Sequence, residues 1–321
     1  MKNIEGLNWL RTFAIISIII AHILLRLGIE ETGRYFAYVF VDVFFLLSAL
    51  LLGLKYGTSK LGKKFFLKRY ARLSCTYYPF LVISIIVLLC LGEKVTILNI
   101  VSHFTYTNYI IQNQILGVSF GHLWFMSLIM MCYILVTVLS KWKCTKQIFN
   151  MPVLLGTILL CVICETICES KHIPGRIILV LSFFSYVFFN ANKIFQWINR
   201  TNNNVNVIVA LALNGVTCIL FNIDAIGDSN RVIRDWIVLA AALSWFPLFC
   251  KIPVDKRKSR IIDYISTISF EMYLVHHPFV LGKYSLIGPL NTMGGVVAIF
   301  IITIVISSLL HNLSKRISKK I

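Results

Sequence analysis

Residues 35–54 read YFAYVFVDVFFLLSALLLGL, twenty residues with one charged side chain, Asp42. Twenty apolar residues in helical form span the hydrocarbon core of a bilayer. The reading holds along the whole chain, since 58% of its side chains are hydrophobic, 14% are charged and mean hydropathy is +0.81. Soluble domains are about half apolar and a quarter charged, so a soluble globular enzyme is excluded.

Nine further apolar segments accompany the first, giving ten at 8–27, 35–54, 74–92, 121–140, 152–168, 175–190, 205–222, 235–250, 264–282 and 293–312. The connections between them leave no room for a soluble domain. The expectation is an all-α polytopic protein, a single integral-membrane domain over 1–321 with about ten transmembrane helices. The first segment reads as an uncleaved span, because no small-residue cleavage site follows it before Arg26. Lys and Arg fix an orientation, since cytoplasmic loops hold the excess. With the N-terminus inside, the internal segments carry 22 basic residues against 8 outside, so both termini are expected in the cytoplasm and the loop around Gln112 outside. That loop, residues 93–120, carries a mixed run from Val95 to Tyr109 suited to an amphipathic surface helix.

The net charge of +18 would point to nucleic acid in a soluble protein, but positive-inside loops account for it and no nucleic-acid partner is expected. The nine cysteines fall mostly in apolar runs and imply no disulfide framework. Cys161, Cys164 and Cys168, with Glu165 and Glu169 nearby, have helical spacing but no histidine beside them, so no metal is expected. No internal repeat stands out.

Ionisable side chains inside spans are costly and therefore mark function by default. The first span holds Arg11 and His22, eleven residues or three turns apart and so on one face, with His22 about 16 Å deeper. A neutral imidazole there is a candidate general base, and the bland alternative is a histidine that only packs. Asp42 needs a partner among its phenylalanines. It either fixes the ring of His22 or staples Arg11, and the sequence leaves both open. In the ninth span, ISTISFEMYLVHHPFV, the residues Ser266, Ser269, Tyr273, His276 and His277 fall on or near one face, with Glu271 directed away from it. The fourth span opens GHLWFMS, placing His122 and Trp124 at the outer interface. The aromatic belt explains Trp124. Lys55 to Arg72, KYGTSKLGKKFFLKRYAR, reads either as a topological anchor or as a binding run.

Four stretches resemble the acyltransferase 3 family of multi-span membrane acyltransferases. Arg11 and His22, after NIEGLNWLR, match its first-helix basic residue, ten others and the catalytic histidine. VDVFFLLSALLLG is similar to its second-helix motif, with Ala49 at the usual glycine. KRYARLSCTYYPF resembles its Arg-x-x-Arg loop, with Arg69 and Arg72 in register. SFEMYLVHHPFV resembles its late histidine signature, placing that histidine on His276. One departure is that LWFMSLIMMCYIL carries Ile129 and Met130 where many members have two glutamates, which leaves Glu271 or His122 to stand in.

The resemblance implies transfer of an acyl group, commonly acetyl from acetyl-coenzyme A, to a hydroxyl of a cell-envelope or exported saccharide or lipid-linked glycan at a bacterial inner membrane. It gives His22 the base role, Arg11, Arg69 and Arg72 the donor contacts, and Tyr273 or His276 the oxyanion, with Asp42 in support and His122, Trp124, Glu271 and His277 near the acceptor. The rival reading is an exporter of such a saccharide, which would favour broken helices in paired repeats.

Overall fold

The computed structural model describes residues 4–57, 61–111, 116, 118–141, 151–170, 176–223, 231–251 and 259–319. All regular structure among them is helical. The order is α1 (Ile4–Arg26), α2 (Glu30–Tyr56), α3 (Lys63–Cys90), the short α4 (Ile97–Phe104), a 3-10 turn (Val118–Leu123), α5 (Trp124–Leu139), α6 (Met151–Ser170), α7 (Arg176–Arg200), α8 (Asn203–Asn222), α9 (Arg231–Cys250), α10 (Ser259–Val280) and α11 (Thr292–Ser318). Gln112 lies outside the described residues, as do the side chains of Cys168 and Glu169.

Each of the ten expected segments coincides with a helix, and eight are long and apolar enough to cross a membrane. The protein is therefore an all-α polytopic membrane protein. The two that fall short do so for different reasons. The described apolar part of α6 is Ile158–Ile167, half the length of a span. Helix α10 is long enough but too polar, because it carries Asp263, Ser266, Ser269, Glu271, His276 and His277. The last five of these side chains are buried against protein, which removes the need for an apolar surface.

The chain divides into two compact units. The first comprises residues 1–62 and 134–266, the second 63–133 and 267–321. In the first unit, α2 packs against α1, α7, α8 and α9. Its Gly53 admits this closeness, since a Cβ there would stand 2.2 Å from the Phe188 carbonyl oxygen of α7. Gly6 does the same for α1 against the Phe249 carbonyl of α9, at 2.0 Å. Small residues that let backbones approach are how helices associate where lipid removes the hydrophobic drive. The lipid-facing side is legible in α8, where Val205, Ile208, Leu211 and Ile219 are exposed.

In the second unit, α11 packs on α3. Val297, Ile301, Val305 and Leu309 form its exposed stripe, while Ile299, Thr303, Ser307, Leu310 and Ser314 are buried. The helix is apolar outward and partly polar inward, the reverse of a soluble amphipathic helix. Helix α4 is the expected short surface helix. Thr96 and Asn99 cap it reciprocally, and Ile97, Leu98 and Val101 are exposed.

Candidate active site

In the first unit, α1 carries Arg11 and His22, both half-buried, on its three-turn register. Two bonds fix the N-terminal half of this helix to the start of α10. Thr12 Oγ1 donates to the Ile262 carbonyl at 2.9 Å, and Asn8 Nδ2 to Asp263 Oδ1 at 3.3 Å.

The sequence left Asp42 to His22 or to Arg11, and the guanidinium that reaches it comes from a third residue. Arg176, the first residue of α7, donates from Nη2 to Asp42 Oδ1 at 2.6 Å and from Nη1 to Asp235 Oδ1 at 3.1 Å. Arg234 Nε adds a third bond to Asp235 Oδ1 at 3.2 Å. The Tyr38 ring lies beneath both guanidinium groups, 5.0 Å from Arg176 Cζ and 4.8 Å from Arg234 Cζ. Two acids and two bases thus balance in a buried cluster that joins α2, α7 and α9. Asp42 itself is 2% exposed, and its Oδ2 makes no hydrogen bond. Sequence reasoning missed Arg176, Arg234 and Asp235 because they sit at span ends, where charges read as loop anchors. The usable signal was that Arg176 and Asp235 open apolar runs. A similar polar tie joins α9 to α6, where Trp236 Nε1 donates to Glu165 Oε2 at 2.9 Å.

In the second unit, the ninth-span residues assemble around the 3-10 turn. Pro278 has no N–H, so within α10 it cannot serve the carbonyl of Leu274 four residues earlier. His122 supplies the donor, its Nε2 lying 3.0 Å from that oxygen. This fixes Nε2 as the protonated nitrogen and Nδ1 as the acceptor. Tyr273 returns a bond, its hydroxyl donating to the His122 carbonyl at 2.7 Å. His277 Nδ1 donates to the Ser119 carbonyl at 2.9 Å, and its ring stacks on His122 at 4.4 Å. His276 is 0% exposed, and its Nδ1 donates to the Met272 carbonyl at 3.0 Å. The structure therefore brings His122, Tyr273, His276 and His277 together. The Tyr273 proton is engaged in holding the turn. Trp124 is half-buried and packs at a tilt against Tyr109, with ring centroids 5.4 Å apart.

Arg69 and Arg72 share α3 but differ. Arg69 is buried, its guanidinium 6.0 Å from the Phe65 ring, while Arg72 is exposed. The tyrosines that follow them form a cluster. Tyr78 is bonded to Tyr70 at 2.7 Å and donates to the Phe104 carbonyl at 2.9 Å, and Ser74 meets the Tyr106 hydroxyl at 2.8 Å. Glu271 points away from the histidine stripe, as its register required. It is buried all the same, 2.8 Å from His311 Nδ1 on α11. His311, near the end of the last span, was not anticipated from the sequence. Among the described residues no group of three or more His, Cys, Asp or Glu side chains is arranged to hold a metal ion.

No curated protein and no solved structure matches the chain. The family model described as an acyltransferase domain matches residues 4–312, from the first residue of α1 into the last turns of α11. That match includes α1 with Arg11 and His22, the Asp42 cluster, Arg69 and Arg72, and the histidines of α10, and the chain belongs to the acyltransferase 3 family.

Proposed function

We propose that this membrane acyltransferase moves an acyl group, acetyl in the first instance, from cytoplasmic acyl-coenzyme A to a hydroxyl of a cell-envelope or exported saccharide. The observation that carries the reading is the family match over residues 4–312, which contains Arg11, His22, Asp42, Arg69, Arg72 and the histidines of α10. His22 is the general base that takes the proton of the acceptor hydroxyl, and Arg11 lies on its face of α1. Arg72, exposed and always charged, meets the coenzyme phosphates, with the buried Arg69 one turn earlier beside it on α3. His276 holds its ring by Nδ1 on the Met272 carbonyl, and His122 and His277 hold the turn against α10. Asp42 acts through Arg176, by keeping α2, α7 and α9 in register. Bacterial inner membrane is the proposed location, with both termini cytoplasmic.

The reaction needs no other reactant. The acceptor oxygen bonds to the acyl carbon, the C–S bond breaks, and the coenzyme leaves as its thiol with the proton that the acceptor gave up. General base catalysis contributes about 100-fold to 10,000-fold, and positioning and oxyanion stabilisation supply the remainder.

The test is purified protein in nanodiscs with labelled acetyl-coenzyme A and a panel of bacterial saccharides. Release of coenzyme thiol that depends on the saccharide, with label in the saccharide, is the expected result. Movement of saccharide across vesicles with no thiol release would favour an exporter and overturn the reading. The Arg69→Lys, Arg72→Lys double variant is expected to bind the donor at least about tenfold more weakly, since ammonium groups lose the paired bonds to phosphate. Unchanged affinity would return the run to a topological anchor.

A further inference from the structure

Helix α11 buries two hydroxyls that have no hydrogen-bond partner among the described residues. Thr303 and Ser307 are both 0% exposed, and neither Oγ has a hydrogen-bond partner. The ordinary solution for a helical serine is to return its hydroxyl to the carbonyl one turn back. Ser308 does this to Ile304 at 2.6 Å, so the same helix offers the option that Ser307 declines. A buried hydroxyl without a partner is costly, and alanine would remove the cost.

One turn beyond Ser307 stands His311, on the same face. Glu271 Oε1 accepts from its Nδ1 at 2.8 Å. That bond places the ring proton on Nδ1 and leaves Nε2 as the proton acceptor, and Nε2 has no hydrogen-bond partner. The Glu271 side chain is 5% exposed and that of His311 16%, with Nε2 itself on the buried side of the ring. Hydroxyl, imidazole and carboxylate thus follow in the order of nucleophile, base and orienting acid, with the hydroxyl and imidazole not yet in bonding contact, as is common before substrate binds. A staple between α10 and α11 would need the Glu271–His311 pair alone and would leave the bare Ser307 hydroxyl without a purpose.

We propose that Ser307 is an acyl-accepting nucleophile, that His311 is its base, and that Glu271 positions the His311 ring. The proposal rests on the reading of the protein as an acyl-coenzyme A-dependent transferase and makes the transfer a two-step one. In the first step Ser307 Oγ attacks the thioester carbon and its proton passes to His311 Nε2. The C–S bond breaks, and the departing sulfur takes that proton to leave as the thiol. A serine ester and a neutral imidazole remain. In the second step the acceptor oxygen attacks the ester carbon, the bond to Ser307 Oγ breaks, and Oγ regains one proton for the one the acceptor gives up.

The experiment uses the full chain in nanodiscs with labelled acetyl-coenzyme A, with and without saccharide, quenched in acid on the millisecond scale and mapped by mass spectrometry. Without acceptor, one thiol per protein is expected in a burst, with an acetyl ester on Ser307. Ser307→Ala should lose the adduct and at least about 100-fold in turnover, while Ser307→Thr retains both in part. Glu271→Gln should slow adduct formation without moving it, and Glu271→Asp should restore it in part, which a staple would not do. Transfer to saccharide by the parent protein with no adduct, an adduct on another residue, or near-parental turnover in Ser307→Ala each overturns the proposal and leaves the transferase standing. Absence of both adduct and transfer removes the transferase reading and this proposal together.

Discussion

His122 shows how one residue answers a defect created by another. Pro278 leaves the Leu274 carbonyl without its helical donor, and His122 fills the gap from the 3-10 turn. Replacing His122 by Ala should therefore destabilise the protein by about 1–3 kcal/mol, the cost of a buried unsatisfied carbonyl. In a Pro278→Ala background the new N–H can serve Leu274, so the same replacement should cost measurably less. Thermal unfolding of the four proteins of this cycle in one detergent checks the coupling, and additive losses would contradict it. The sequence made His122 a candidate by position at a span end, but its partner, 152 residues away, obeys no local spacing. The same limit hid the Asp42–Arg176 pair, 134 residues apart, although Asp42 itself announced a need for a partner from within its apolar run. Residue identities at the site were legible because ionisable groups in spans stand out. Their pairings were not, because helix order around a bundle is set by packing that hydropathy does not encode.

Among the elements, hydropathy located all ten long helices of the described residues. Helix α10 was found through its apolar residues even though its buried serines, Glu271 and histidines keep it below the hydropathy of a lipid-facing span. The inward polarity of α11 is legible in principle, since Thr303, Ser307 and His311 repeat every fourth residue. At the other end of the second unit, the turn after α3 and the turn after α10 are tied by charge. Glu93 Oε1 accepts from Lys283 Nζ at 3.0 Å and from the Tyr284 hydroxyl at 3.1 Å. The bond from Lys283 first, and that from Tyr284 next, hold the Glu93 carboxyl below its ordinary value, and Glu93 in turn raises Lys283. A lowered carboxylate gives a tie present above its ordinary pKa of about 4.3 and lost as pH falls through the lower folded value. The raised lysine gives a tie present below about 10.4 and lost as pH rises through its higher folded value. Carbon NMR of labelled Glu93 should show an acid-shifted midpoint that moves back toward the ordinary value in Lys283→Gln, the Tyr284 bond keeping part of the shift. An ordinary midpoint in both proteins would show that the tie does not form.

At the scale of the whole molecule, composition alone established an all-α membrane protein, and the four motifs placed it in its family before any contact was visible. The match over residues 4–312 bears out that placement. Acceptor identity was not legible, because a saccharide is recognised by the arrangement of loops and helix ends and not by a local motif. The account stands or falls on His22, the histidine of α1 on the register of Arg11, and steady-state turnover of His22→Ala measures it most directly. The variant and the parent are compared at equal folded amounts in nanodiscs, with acetyl-coenzyme A and an active saccharide, following thiol release alongside donor affinity. The account predicts a fall of at least about 100-fold in turnover with donor affinity and unfolding temperature nearly unchanged. A folded His22→Ala protein that keeps more than about a tenth of parental turnover would contradict it, since a general base contributes at least about 100-fold.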